Sequence, residues 1–236
     1  MKAKQLLHVP RHFLILALLH FILGCGSSIQ IIDKPISFSA ERVQLTRDYI
    51  HAHYGISTPD IVITPRIIVL HWTAIAGFEQ SFAAFHPEKL PASRLELQSA
   101  GEVNVSIQFL VDRDGKIYRL MPENHMARHC IGLNYESIGV ENVGGQNGVD
   151  DLTEQQVEAN ARLVRYLARK YATIRYLIGH HEYKEFEGHA LWRERDAGYR
   201  TEKTDPGERF MNAVRAKVSD LKLKGVHEIR AERSNS

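Results

Sequence analysis

The chain reads as an α/β protein with a central mixed β-sheet covered by helices, and three features predict it. Apolar runs of strand length, at residues 67–70, 137–143 and 174–178, recur between segments of helical spacing. Asp114-Gly115 sits between two strand-like stretches and supplies a tight antiparallel turn in the middle of that alternation. The clearest helix, residues 154–171, carries its own start signals, so helical and extended segments interleave along the chain. Interleaved helices and strands with one hairpin give a mixed sheet in a single domain.

The first residues are a targeting segment. Residues 1–24 hold Lys2, Lys4 and Arg11 and no acid, followed by an apolar run at 13–23 broken only by His20. That run is too short to span a bilayer comfortably and has the layout of a secretory signal. It ends Ile22-Leu23-Gly24-Cys25, which resembles the lipobox of bacterial lipoproteins, where cleavage leaves the cysteine to carry acyl chains. A plain signal peptide and an uncleaved anchor are the alternatives. Each buried CH₂ contributes roughly 0.8 kcal/mol, so several acyl chains on Cys25 would hold the protein on a membrane.

Cleavage also changes the charge. The leader removes three basic residues, leaving 27 Lys and Arg against 28 acids. A near-neutral mature chain has no electrostatic footprint for nucleic acid. The two cysteines are Cys25 and Cys130; with Cys25 acylated no internal disulfide forms, and Cys130 is expected to be a buried, inert thiol. The expected layout is a signal peptide at 1–24, a lipidated tether at 25–38, one domain at 39–224 and a polar, frayed tail at 225–236, working as a monomer.

Within the domain, residues 39–53 predict a helix stopped by Gly55. Residues 66–71 predict a strand buried on both faces that ends in His71. Residues 77–86 predict a helix, with one more short helix between 87 and 101. Val105, Ile107 and Phe109 alternate with polar neighbours, so 103–120 reads as a hairpin about Asp114-Gly115. Residues 137–143 predict a strand containing Glu141. For the helix at 154–171, Thr153 and Gln156 form a capping box and Leu152 with Val157 the hydrophobic staple. Residues 174–178 predict a strand leading to Gly179-His180, and residues 208–221 a last helix.

Two apolar strands therefore end in histidine, at His71 and His180. One such histidine is ordinarily a satisfied core residue. Two, together with Asp205, supply three N/O ligands, the set of a catalytic zinc that keeps its fourth position open. His125, His129, His181 and His189 compete for the role. Asp205 precedes Pro206-Gly207, which by itself reads as a helix cap. Lys203 by itself reads as a solvated charge. Glu141 is different, because an acid inside an apolar strand is costly to bury unpaired. His181-Glu182-Tyr183-Lys184-Glu185 approaches a zinc-protease motif, but its last position is Glu and it follows a strand; Glu182 is expected beside a ligand histidine instead.

Several blocks, in order, carry a family likeness. They are Ile67-Ile68-Val69-Leu70-His71-Trp72-Thr73-Ala74, then 105–115 (VSIQFLVDRDG), Arg128-His129 with Gly132 and Asn134, Ser137-Ile138-Gly139-Val140-Glu141, Ile178-Gly179-His180, and Lys203-Thr204-Asp205-Pro206-Gly207. From about 66 to 211 the chain resembles the zinc-dependent N-acetylmuramoyl-L-alanine amidases of the amidase-2 type, relatives of peptidoglycan recognition proteins and phage lysozyme-amidases. The resemblance implies that fold, Zn²⁺ on His71, His180 and Asp205, Glu141 as catalytic acid/base, Lys203 beside the metal, and His129 and Asn134 along the substrate groove. It implies peptidoglycan or muropeptides as substrate. Two features depart from the simplest members: the long segment 181–202, and Cys130 where small residues are usual. A non-catalytic peptidoglycan receptor of the same fold, and a zinc hydrolase cutting within the stem peptide, are the alternative functions. With the lipobox, the expected location is the cell envelope; Gly26, where Asp would favour the inner membrane, leans toward an outer-membrane anchor facing the periplasm.

Overall fold

Strand β2 (Ile67–Trp72) runs through the middle of the protein and is buried along its whole length. It lies between two parallel neighbours, β5 (Ser137–Asn142) and β6 (Tyr176–Gly179), with Ile67 opposite both Ser137 and Tyr176 and His71 opposite Glu141. β2, flanked on both edges and covered on both faces, needs continuous apolar side chains and so reads as an unbroken run, whereas β5 alternates Ile138 and Val140 with Ser137, Gly139 and Glu141. Outward from β5 follow β3 (Phe109–Val111), then β4 (Ile117–Arg119), antiparallel to β3, and β1 (Ile31–Asp33), parallel to β4. The order β1-β4-β3-β5-β2-β6 makes a mixed sheet of six strands. The computed structural model describes residues 29–92, 94, 97 and 100–234. The leader, the lipobox and Cys25 lie outside the described residues, as does most of the short helix expected between 87 and 101.

Helices cover both faces. On one, Ile68, Leu70, Ile138 and Val140 pack against α3 (Glu154–Lys170) and α4 (Glu208–Lys217) through Val157, Val164, Phe210 and Val214. On the other, Ile67 and Val69 pack with Cys130, Leu133, Tyr183 and Phe186. Helix α1 (Ala40–Tyr54) builds a further cluster around Tyr49 and Ile50, and α2 (Phe78–Phe85) a smaller one around Phe85. The local signals act as expected: Ser39 caps α1 and Gly55 ends it in the left-handed conformation, while Thr153 and Gln156 close the capping box on α3. None of the helices among the described residues is long and apolar enough to cross a membrane.

Four expectations are corrected. Residues 31–38 are not tether: Ile31–Asp33 adds a strand to the sheet edge and Ile36 is buried in the core. Two isoleucines and an aspartate were too short a run to signal a strand without their partner β4. Residues 226–234 are not frayed but form α5 (Val226–Ser234), which buries Ile229 among Tyr176, Tyr183 and Phe186. The hairpin is confined to β3 and β4. Ahead of Phe109 one further rung remains, Leu120 N–H to the Gln108 carbonyl, and then the chain bonds elsewhere: Ser106 N–H to the Arg128 carbonyl and the Gln108 side chain to Gly139 N–H and the His125 carbonyl. Finally, Asp205 does not cap α4. Gly207 holds the cap position, and Asp150 reaches across to accept from Phe210 N–H at 3.1 Å.

Candidate metal centre and active site

The carboxyl ends of β2 and β6 deliver two imidazoles to one point. His71 is the fifth residue of β2, on the face of Ile67 and Val69, and His180 follows Gly179 at the start of a 3₁₀ turn (His180–Phe186). Their Nδ1 atoms are 2.9 Å apart. Asp205, freed from capping, brings Oδ2 to 3.0 Å from His180 Nδ1 and 3.3 Å from His71 Nδ1. All three side chains are buried, and among the described residues they form the group able to hold a metal ion.

The set fits zinc. Ligand atoms about 2.0–2.1 Å from a tetrahedral ion stand about 3.3 Å from one another, close to the separations seen. Burial, then the neighbouring His180, pushes the His71 imidazole down to about 4 against the pull of Asp205, so the ring is neutral at pH 7 and offers a lone pair. Burial alone would raise the Asp205 carboxyl, yet His180 and His71 against it hold it well below the ordinary carboxylate range. Two imidazoles and an ionised carboxylate meeting at one point are a donor set of the kind that holds a divalent cation.

Glu141 stands beside His71 in the sheet register, and both line a cavity of about 300 Å³. Along β5, Ser137, Gly139 and Glu141 share the face toward this site, while Ile138 and Val140 turn into the helix-covered core. Glu141 Oε2 is enclosed and has no hydrogen-bond partner. Burial, then the Asp205 charge, pushes its carboxyl well above the usual range, with Lys203 and Arg94 pulling the other way. Lys203 lines the same cavity, half-buried, two residues before Asp205. A carboxyl raised above its usual range, a lysine and a metal-ligand set thus meet at one cavity.

The amidase-2 family model, described as N-acetylmuramoyl-L-alanine amidase, matches residues 62–208, well over half of the chain. The chain belongs to this amidase family. Membership makes it a hydrolase of the peptidoglycan-amidase class. Among solved structures, it is similar to the N-acetylmuramoyl-L-alanine amidase LysC from Clostridium intestinale, at 21% identity and a TM-score of 0.51, covering 81% of this chain and 99% of that one. A selenomethionine derivative of AmpD is similar at 22% identity and a TM-score of 0.51, covering 80% and 94%. At such identity the likeness establishes the fold. A comparison with curated proteins found none that matches.

Within this amidase domain, the other expected residues divide. Asn134 lines the cavity, but its amide is committed: Oδ1 accepts from His129 N–H and Cys130 N–H at 2.8 and 2.6 Å, and Nδ2 donates to Tyr54 at 2.9 Å. It shapes the turn at 129–134, and its Nδ2 also points to the Tyr49 hydroxyl at 3.4 Å. His129 also lines the cavity, yet its Nδ1 is 3.0 Å from His71 Nε2 and its Nε2 3.2 Å from Ser137 Oγ. Glu182 accepts from Gly179 N–H and pairs with Arg215, so it steadies the backbone before His180 and does not touch that ring. Burial pushes the Cys130 thiol up, leaving it protonated and inert.

The long segment 181–202 is held in place by buried acids. Glu136 takes Arg193, and Glu194 takes His53 of α1 at 3.0 Å. Trp192 lies where a Cβ on Gly132 would stand, 2.6 Å from the indole. The segment ends as a cavity wall through Tyr199, whose hydroxyl accepts from Arg128 at 3.2 Å. None of this was readable in advance, since a buried Glu and a surface Glu look alike in a charged stretch.

Proposed function

We propose that the protein is a zinc-dependent N-acetylmuramoyl-L-alanine amidase that hydrolyses the amide between N-acetylmuramic acid and the L-alanine of the stem peptide. The observation that carries the reading is the convergence of His71, His180 and Asp205 beside the enclosed, unpartnered carboxyl of Glu141. His71 and His180 through Nδ1, with Asp205 through Oδ2, would hold the ion. When bound, zinc makes a water acidic enough to ionise near neutral pH and polarises the scissile carbonyl.

The remaining work falls to the protein's own groups. Glu141 takes the proton of the attacking water and returns it to the leaving amine, which must be protonated to depart. Its enclosed site tunes the carboxyl toward the pH range in which it can do both. Lys203 sets a positive charge against the oxyanion that develops on the carbonyl oxygen. Asp205, held ionised, keeps the two imidazoles turned toward the ligand point. Anchored by acyl chains on Cys25, the enzyme would act in the cell envelope, on wall or its turnover fragments.

The test is digestion of purified peptidoglycan with and without a chelator, with products followed by mass spectrometry. Free stem peptides beginning at L-alanine, lost with chelator and restored by zinc, support the reading. Wall binding with no cleavage at any zinc concentration makes the protein a receptor, and cuts within the stem overturn the bond assignment. For the anchor, Cys25→Ala should release the protein from membranes without changing the purified enzyme; a variant that still sediments with membranes removes the lipid attachment.

A further inference from the structure

We propose that Ser137 and His129 form a one-way hydrogen-bond chain that fixes which nitrogen of His71 is free to bind the metal, making His129 a positioning residue. The proposal rests on reading His71, His180 and Asp205 as the zinc site. The chain starts at a group that can only accept, the backbone carbonyl of Leu133, 2.8 Å from Ser137 Oγ. With its proton directed there, the Ser137 hydroxyl turns a lone pair to His129 Nε2 at 3.2 Å. His129 then carries its proton on Nε2 and presents a bare Nδ1 to His71 Nε2 at 3.0 Å. A neutral imidazole has a single N–H, so His71 donates from Nε2 and its Nδ1 is left as a lone pair. That Nδ1 is the atom facing His180 and Asp205. Running the chain the other way would place the His71 proton on Nδ1, in the middle of the ligand point.

The surroundings are shaped for this chain. Ser137, Gly139 and Glu141 alternate onto one face of β5, and the His129 ring lies over the middle of the three. A Cβ on Gly139 would stand 2.8 Å from His129 Nδ1 and 2.9 Å from Cε1, so the ring occupies the space a side chain would fill. The His71 and His129 rings meet edge-on at 84°, with centroids 5.1 Å apart. Asn134 Oδ1 clamps the His129 backbone from behind. Ser137 is fully buried, where a hydroxyl must spend both its donor and its acceptor capacity on the protein. Outer hydrogen bonds of this kind set the tautomer and orientation of a metal-binding histidine.

The experiment compares His129→Asn with His129→Leu, and adds Ser137→Ala. Asn carries an oxygen near the position of His Nδ1 and can accept from His71; Leu cannot. Two readouts are taken on protein whose fold is checked by near-ultraviolet circular dichroism. One is the His71 tautomer in the metal-free protein, from long-range ¹H–¹⁵N correlations, and the other is zinc affinity by competition with a chromophoric chelator. The wild type should show His71 protonated at Nε2. His129→Leu should show mixed tautomers and a roughly 10–100-fold loss of zinc affinity, with His129→Asn recovering most of both. Ser137→Ala should mix the tautomers with a smaller loss, and it stands in if His129→Leu fails to fold. A pure Nε2–H tautomer with wild-type zinc affinity in the Leu or Ala variant overturns the proposal, as does equal loss in Asn and Leu. A wild-type protein that binds no zinc removes the zinc site, while the metal-free tautomer still decides the chain.

Discussion

Glu136 and Glu141 lie five residues apart on one stretch of chain, one buried and the other half-buried with one oxygen enclosed, and they have opposite fates. Glu136, just before β5, is 1% exposed and gives its two oxygens to Arg66 and Arg193. Its charge is neutralised and its lone pairs are used, so it ties the core strand to the long segment 181–202. Glu141, near the other end of β5, has an enclosed oxygen with no partner and faces the cavity with the metal-ligand set. Burial of an acid is thus no mark of chemistry. Unmet hydrogen-bonding capacity beside a cavity is, because a structural role would have supplied a partner.

The largest effect should come from Asp205→Ala. Removing the carboxylate leaves only two imidazole ligands, so zinc and turnover should be lost together; a variant that keeps both moves the third ligand elsewhere. Glu141→Gln comes next, with kcat lowered about 10²–10⁴-fold and zinc retained. Because burial raises the Glu141 carboxyl, replacing it with a neutral amide should not lower the melting temperature. Near-normal turnover would remove Glu141 from the mechanism.

Lys203→Met should lower kcat by roughly 10²-fold through loss of oxyanion stabilisation, and it should also move the pH profile. The Lys203 charge favours the ionised form of Glu141, so its removal raises that carboxyl further. The base must be ionised to accept a proton, so the acidic limb of kcat/KM should shift to higher pH. A profile that stays in place would separate Lys203 from Glu141. The smallest effect on catalysis belongs to Glu136→Gln, which should leave kcat near wild type and cost stability instead. Arg66 and Arg193 are each over a third exposed, so solvent screens them and the loss should be about 1–3 kcal/mol by denaturant unfolding. Lost turnover at full stability would erase the contrast between the two acids.

Much of this arrangement was legible in the residues. Unbroken apolar runs ending in His71 and His180 marked strands buried on both faces, and a lone acid between Val140 and Asn142 had to have a use. The Thr153 and Gln156 box located its helix to within a residue. What escaped notice depended on partners distant in sequence. Ile31–Asp33 is a strand only because β4 accepts it, and α5 is held only by burying Ile229. Asp205 had a strong local reading as a cap, overruled because Asp150 arrives from another loop to satisfy the helix. Asn134 and His129 were expected in the groove by likeness of motif; both line the cavity, and their hydrogen bonds to Tyr54, His71 and Ser137 are partnerships no spacing encodes.

The central claim is that one corner holds two separable functions, metal binding at His71, His180 and Asp205 and proton transfer at Glu141. It is tested most directly by metal content and turnover measured together on the wild type, Glu141→Gln and Asp205→Ala after loading with zinc and desalting. The account predicts about one zinc per chain in the wild type and in an inactive Glu141→Gln, and none in Asp205→Ala. Zinc retained by Asp205→Ala but lost from Glu141→Gln, or a wild type that holds none, would contradict it.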